Sequence, residues 1–111
     1  MATLPFSKVR RIGNTFYLSG EIGFNADGSL PDDIAAQTRN CLDRIRETLR
    51  GEGMDMANVI SCLCHLTDKT DFAAFNAAYA PYFVDPLPTR TTVESGLMAP
   101  AKLEITVIAA V

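Results

Sequence analysis

The sequence predicts an α+β domain, a mixed β-sheet with two amphipathic helices on one face. Three observations predict it. Two stretches repeat apolar residues at helical spacing. Several short stretches rich in β-branched and aromatic residues read as strands. The connections between them are short and marked by Gly, Pro, Asn and Asp. The resulting order is β-β-α-β-α-β-β. With 111 residues and no internal repeat, low-complexity tract or linker, residues 1–111 read as one domain.

Residues 9–12 and 15–19 flank Gly13-Asn14, a pair able to take φ > 0, and predict a tight hairpin. Residues 20–28 read as a loop or a short irregular strand. Pro31-Asp32-Asp33 then supplies a helix start, with carboxylates at the positive end of the helix dipole. Ile34, Thr38, Cys41, Leu42, Ile45 and Leu49 fall on one face of that helix, and Gly51 and Gly53 end it. Residues 59–67 form the next strand. Thr70-Asp71 can cap a second helix with the stripe Phe72, Phe75, Tyr79, Tyr82 and Phe83, closed off by Pro86 and Pro88. Residues 89–94 and 101–111 are the last two strands.

Alternation along a strand assigns its faces. Ile60, Cys62, Cys64 and Leu66 suit a face beneath the helices, with Val59, Ser61, Leu63, His65 and Thr67 opposite. In the last strand Leu103, Ile105, Val107, Ala109 and Val111 fill one face, but Ile108 and Ala110 make the second face apolar too. Two helices cover only one face, so the other calls for a partner, and a homo-oligomer with sheets packed together is expected.

Composition excludes several classes. Hydrophobic residues make up 48% and charged residues 21%, enough for a core and too apolar for a disordered chain. The net charge is −3, and the arginines Arg39, Arg44, Arg46 and Arg50 alternate with Asp43 and Glu47 along one helix. That pattern is a solvated face rather than a phosphate-binding stripe, so no nucleic-acid partner is expected. No apolar run approaches the length of a membrane span. The segment 1–8 lacks a charged start followed by an apolar stretch, and three cysteines is an odd count for a disulfide framework. Free thiols in the cytoplasm are the expectation.

Few side chains can carry chemistry. Cys62 and Cys64 share a face while His65 points away, so the three cannot converge on a metal, and no metal site is expected. Cys41 lies in an apolar stripe, and all three cysteines read as small buried hydrophobes. His65, the only histidine, has no serine or cysteine motif around it and reads as structural. Asn76 sits at the margin of the second helix's stripe, where an amide needs partners: a loop backbone or a ligand. Arg90 and Glu104 are the sharper pair. Each stands in a strand that should be largely buried, where a charge is costly unless paired or used. On neighbouring strands they would form a small anion site, Arg90 binding a carboxylate bidentately and Glu104 handling protons. Read instead as a polar surface ladder, Arg90, Thr92 and Glu94 would face solvent and Thr91 and Val93 the core.

The segments Gly13-Asn14-Thr15-Phe16-Tyr17-Leu18-Ser19-Gly20, Asp33-Ile34-Ala35-Ala36-Gln37-Thr38-Arg39, Leu66-Thr67-Asp68, Asp71-Phe72-Ala73-Ala74-Phe75-Asn76, Pro88-Thr89-Arg90-Thr91-Thr92-Val93-Glu94 and Leu103-Glu104-Ile105 occur in this order. Together they make the chain resemble the RidA/YjgF family of reactive-intermediate deaminases over nearly its whole length. The resemblance implies a chorismate-mutase-like fold, related to the ferredoxin-like one, and a homotrimer that packs through the uncovered sheet face, with sites in clefts between subunits. It implies cofactor-free hydrolysis of enamines and imines such as 2-aminoacrylate to 2-keto acids and ammonia. Arg90 then matches the carboxylate clamp and Glu104 the acid that positions or activates water. Ser19, Gly20, Asn76, Phe6, Thr91 and Thr92 match substrate-binding positions. Phe6 stands where the family often has tyrosine, and Thr92 where it often has cysteine, which bears on substrate range. The other activities implied are a pathway-specific deaminase of the 2-aminomuconate type, a non-catalytic keto-acid-binding or chaperone-like trimer, and an endoribonuclease or translation inhibitor.

Overall fold

Asp33 sets the start of the long helix. Its side chain accepts a hydrogen bond from the Ala36 backbone N–H at 2.6 Å, satisfying one of the four orphan donors of the first turn. From there α1 (Ile34–Gly51) buries Ile34, Gln37, Thr38, Cys41, Leu42, Ile45 and Leu49 on one side. It ends at Gly53, whose φ of 80° lets the chain turn back, while Met54 N–H bonds Leu49 O at 2.9 Å. The computed structural model describes residues 4–111, so the first three residues of the segment 1–8 lie outside the described residues.

The strands are β1 (Val9–Ile12), β2 (Thr15–Leu18), β3 (Val59–Leu66), β4 (Thr89–Glu94) and β5 (Leu103–Ala110), and the second helix is α2 (Phe72–Tyr79). The order along the chain is the one the sequence predicts. The sheet runs β1-β2-β5-β3-β4, antiparallel throughout except for β3 and β4. Those two are parallel because the chain crosses over through α2 between them. This order corrects one expectation: β4 and β5, which carry Arg90 and Glu104, are not neighbours, since β3 lies between them. In the hairpin only Gly13 takes positive φ, at 58°, and Asn14 does not, as in a turn with glycine at its first central position. Residues 20–28 are mostly loop, with one bridge from Glu21 to Ile105 that extends the β2 side of the sheet.

Both helices lie on one face, over Leu103, Ile105, Val107 and Ala109 of β5 and Cys62, Cys64 and Leu66 of β3. Here the strict alternation expected for β3 fails at its first turn. The β3–β5 register shifts between Val59 and Ser61. This bulge puts Val59 in the core at 4% exposure and turns Ile60 out to 48%. Val111, expected on the core side, lies past the end of β5 and is exposed. The cap of the second helix also differs. Asp68 accepts from Thr70 N–H at 2.9 Å and caps a 3₁₀ turn, whereas Asp71, at the N-cap of α2, makes no side-chain bond. Phe72 is half-exposed rather than core, while Phe75, Tyr79 and Phe83 are buried.

The opposite sheet face has no helix over it. Tyr17, Ile60, Leu63 and Val93 leave it partly exposed and apolar. Among the described residues no helix is long and apolar enough to cross a membrane.

Gln37 ties the start of α1 to both flanking segments. Its Nε2 donates to Pro31 O at 2.8 Å, and its Oε1 accepts from Lys102 N–H at 2.9 Å. Gln37 is buried and both partners are partly so, and Gln37→Leu leaves a donor and an acceptor unpaired at a cost of about 1–3 kcal/mol in urea unfolding at unchanged m-value.

Candidate functional site

Arg90 pairs in register with Cys62, and Thr92 with Cys64. Because both cysteines face the helices, so do Arg90 and Thr92, while Thr91 and Val93 face the open side. The polar-ladder reading of β4 is therefore reversed: its arginine is on the helix side. There the guanidinium lies against three rings of α2, with its central carbon 4.9 Å from the Tyr79 centroid, 5.4 Å from Phe75 and 5.6 Å from Phe72. Phe75, Tyr79 and Phe83 continue as a tilted aromatic stack. The rings attract the cation without neutralising it. Among the described residues Arg90 forms no ion pair, unlike Arg44 with Glu21 and Arg46 and Arg50 with Asp55.

Three buried polar atoms in this neighbourhood, Asn76 Oδ1, Tyr79 OH and Thr92 Oγ1, have no nitrogen or oxygen partner, but the Cys62 thiol adjoins Tyr79 OH and the Cys64 thiol adjoins Thr92 Oγ1. An unpaired buried polar group costs about 1–3 kcal/mol, so Asn76 Oδ1 is the costly one unless a ligand meets it. Arg90, Asn76, Tyr79, Ala80, Phe83, Leu87 and Pro88 line one open cleft of about 380 Å³. Thr92 borders a separate, smaller hollow of about 190 Å³ with Leu66, Lys69, Phe72, Val93 and Glu94. The Arg90 cleft is thus a preformed cationic seat with an amide and a phenol at its wall.

The thiols beside it are inert. Burial pushes the Cys62 and Cys41 thiols up and the Cys64 thiol to about 12, so all three stay protonated at neutral pH. Burial also raises the Tyr79 hydroxyl, with the Cys62 thiol next to it as the second cause. Cys62 and Cys64 face the helices and His65 the open side, the separation that alternation predicts.

Glu104 lies elsewhere. Leu103 and Ile105 are wholly buried under the helices, which turns Glu104 to the open face. Its carboxylate rests on the backbone of Gly20: a Cβ there would collide with Oε2 and come within 2.8 Å of Cδ. Gly20 is needed for this close approach. Next to it, Ser19 is anchored to the N-terminal segment, Oγ donating to Ser7 O at 2.6 Å and N–H to Lys8 O at 3.1 Å. Phe6 is exposed near this end of the molecule. On the other side of Glu104, across the antiparallel β3–β5 ladder, stands His65, whose Nδ1 is 3.0 Å from Ser95 Oγ.

The predicted residues therefore fall into two groups. Arg90, Asn76 and Thr92 belong to the seam of α2 and β4; Glu104, Ser19 and Gly20 belong to the open face, where Thr91 also points. One chain does not bring Arg90 and Glu104 together. Sequence reasoning missed the aromatic cradle, although its signal was present: Phe72, Phe75 and Tyr79 were assigned to the core stripe and not to Arg90. It also missed the His65–Ser95 contact, which no local pattern announces.

The chain matches the family model described as "Endoribonuclease L-PSP" over residues 1–111. It is 39% identical over 107 residues to a RutC family protein of Sulfurisphaera tokodaii, covering 94% of this chain and 86% of that one. It is 32% identical over 110 residues to the 2-iminobutanoate/2-iminopropanoate deaminase of Escherichia coli K12, covering 95% and 86%. Among solved structures, RidA from an Antarctic Psychrobacter superposes with a TM-score of 0.92 at 27% identity, over 100% of this chain and 92% of that one. The YjgF gene product of E. coli gives 0.90 at 32% identity, over 98% and 90%.

The thiols give a test by pH. A group whose folded pKa is raised stabilises the fold fully below its unfolded value and loses that contribution as pH rises through the folded one. For Cys64 that window runs from 9.0 to about 12. Chemical denaturation across it shows stability falling in the wild type and falling less steeply in Cys64→Ala.

Proposed function

The chain belongs to the endoribonuclease L-PSP family, the RidA/YjgF proteins, and on that premise we propose that it hydrolyses small enamines and imines of the 2-aminoacrylate type to 2-keto acids and ammonia. The observation that carries this reading is Arg90: half-buried, free of ion pairs among the described residues and set over the rings of Phe72, Phe75 and Tyr79, with the unpartnered Asn76 Oδ1 in the same cleft. A planar guanidinium in that state suits a carboxylate, which it takes with two parallel hydrogen bonds.

The chemistry divides between two places. Arg90 neutralises and orients the substrate carboxylate, and Asn76 lines the same cleft. Glu104, steadied against Gly20, assists the water that attacks the imine carbon. Hydrolysis of an imine is intrinsically easy, so orientation of substrate and water supplies much of what is needed. Arg90 and Glu104 leave opposite faces of the sheet with β3 between their strands, so a three-carbon substrate touching both takes them from two copies of the chain. The β4 edge and α2 of one copy then pack over the apolar open face of the next, in a homotrimer. Ser19, Gly20, Thr91 and Thr92 then lie along the seam, and Phe6 makes its mouth less polar. Phosphodiester cleavage is less well supported. Net charge is −3, and three arginines of α1 are engaged with Glu21 and Asp55 rather than open to a phosphate backbone.

The test couples a pyridoxal-phosphate serine or threonine dehydratase to this protein and follows keto-acid release. Wild type accelerates release, and Arg90→Ala lowers kcat/KM roughly 10- to 100-fold, the value of a charged bidentate contact. A rate unaffected by the protein, or Arg90→Ala as active as wild type, sinks the reading. The two-copy site has its own check. Arg90→Ala and Glu104→Gln chains, each impaired alone, regain about a quarter of wild-type activity when unfolded together at equal amounts and reassembled, because half the seams receive each intact group. No recovery, or a monomer at micromolar concentration in sedimentation, rules that arrangement out.

A further inference from the structure

His65 lies mid-strand in β3, on the face away from the core, and is the only histidine of the chain. It stands directly opposite Glu104 in the antiparallel ladder, where facing Cβ atoms sit about 4.5–5.5 Å apart. It forms no ion pair with Glu104 among the described residues, although the two share a face. Each side chain is drawn away from the other. Glu104 is turned onto Gly20, beyond β5, and His65 is bonded through Nδ1 to Ser95, beyond β4. The carboxylate and the imidazole thus stand side by side on one sheet face, each held on its outer side. Nε2 has no hydrogen-bond partner among the described residues.

We propose that His65 is the proton-transfer partner of Glu104, and that Ser95 orients its ring for this role. The inference rests on the deaminase reading given above. Other charged groups facing His65 are few. These are Glu104 on β5 and Lys102 just before that strand; from β4 Val93 pairs with it, and Ser95 just past β4 bonds it, and neither titrates. With Nδ1–H donating to Ser95 Oγ, a protonated ring keeps its second proton on Nε2, on the unbonded edge.

The pair closes a complete proton cycle. Imidazolium His65 protonates the imine nitrogen. Water adds to the carbon, the C=N π pair moves to nitrogen, and Glu104 takes one proton of that water. The carbinolamine so formed receives the Glu104 proton on its amine. His65 then takes the hydroxyl proton as the carbonyl forms and the C–N pair departs with ammonia. Imidazolium and carboxylate are both restored, and the sum is imine plus water to ketone plus ammonia. Arg90 takes no part in these transfers. Removing the imidazole therefore slows turnover without loosening the carboxylate.

The experiment uses the full-length protein in the dehydratase-coupled assay across pH 5 to 9. His65→Gln, checked for fold by circular dichroism, lowers kcat about 100-fold with KM nearly unchanged. His65→Ala behaves alike and is partly restored by added imidazole. Ser95→Ala, which keeps the histidine but frees its ring, lowers kcat by a smaller factor of about 10. If His65→Gln keeps the wild-type kcat, or imidazole restores nothing to His65→Ala, the relay is wrong and the deaminase reading stands. If wild type itself fails to speed keto-acid release, both fall.

Discussion

The alternation of β5 governs this molecule. β5 lies in the middle of the sheet, paired with β2 on one side and β3 on the other, and Leu103, Ile105, Val107 and Ala109 are almost wholly removed from water. Burying four such side chains contributes several kcal/mol and leaves no freedom in the strand's orientation. Glu104 is therefore forced to the other face. Through the β3–β5 ladder the same parity puts Cys62 and Cys64 in the core, and through the parallel β3–β4 ladder it carries Arg90 to the helix side. A one-residue slip anywhere would exchange the arginine's aromatic seat for the open face. The positions of both charges follow from where the hydrophobes must go.

Most of the fold was legible because it depends on short-range rules. The helix over α1 followed from its apolar spacing and the Asp33 cap, the hairpin from Gly13, and the open face from the double-sided pattern of β5. What the sequence hid was sheet order and local departures from period. Nothing in the spacing of residues 89–94 and 101–111 says that β3 intervenes between them, since pairing partners are set by the crossover and by packing. The bulge at Val59–Ser61 likewise inverted Ile60, and only the partner strand reveals it. The site was half legible. Arg90, Glu104 and Asn76 stood out as polar groups in apolar settings, and the segments shared with RidA/YjgF proteins pointed to the same three. Their division between two faces, and the cradle made by residues counted as core, required the packed structure.

The aromatic seat of Arg90 deals with an otherwise awkward problem. Arg90 has no carboxylate partner among the described residues, yet an unpaired charge near a core is costly. Three ring faces offer partial electrostatic compensation without competing for the donors of the guanidinium. The neighbouring thiols, held protonated by burial, add bulk without adding negative charge. The site thus keeps its charge available by surrounding it with groups that cannot cancel it.

That cradle has an optical side. The chain has no tryptophan and three tyrosines, so its near-ultraviolet absorption and emission come mainly from phenols. Tyr17 sits on the open sheet face, Tyr82 is bonded to Asp43, and Tyr79 lies against the arginine. The chromophores are thus distributed one to the open sheet face, one to the contact between the helical segments and one to the arginine's cleft. The unlabelled protein carries its own spectroscopic probe at the seat of Arg90.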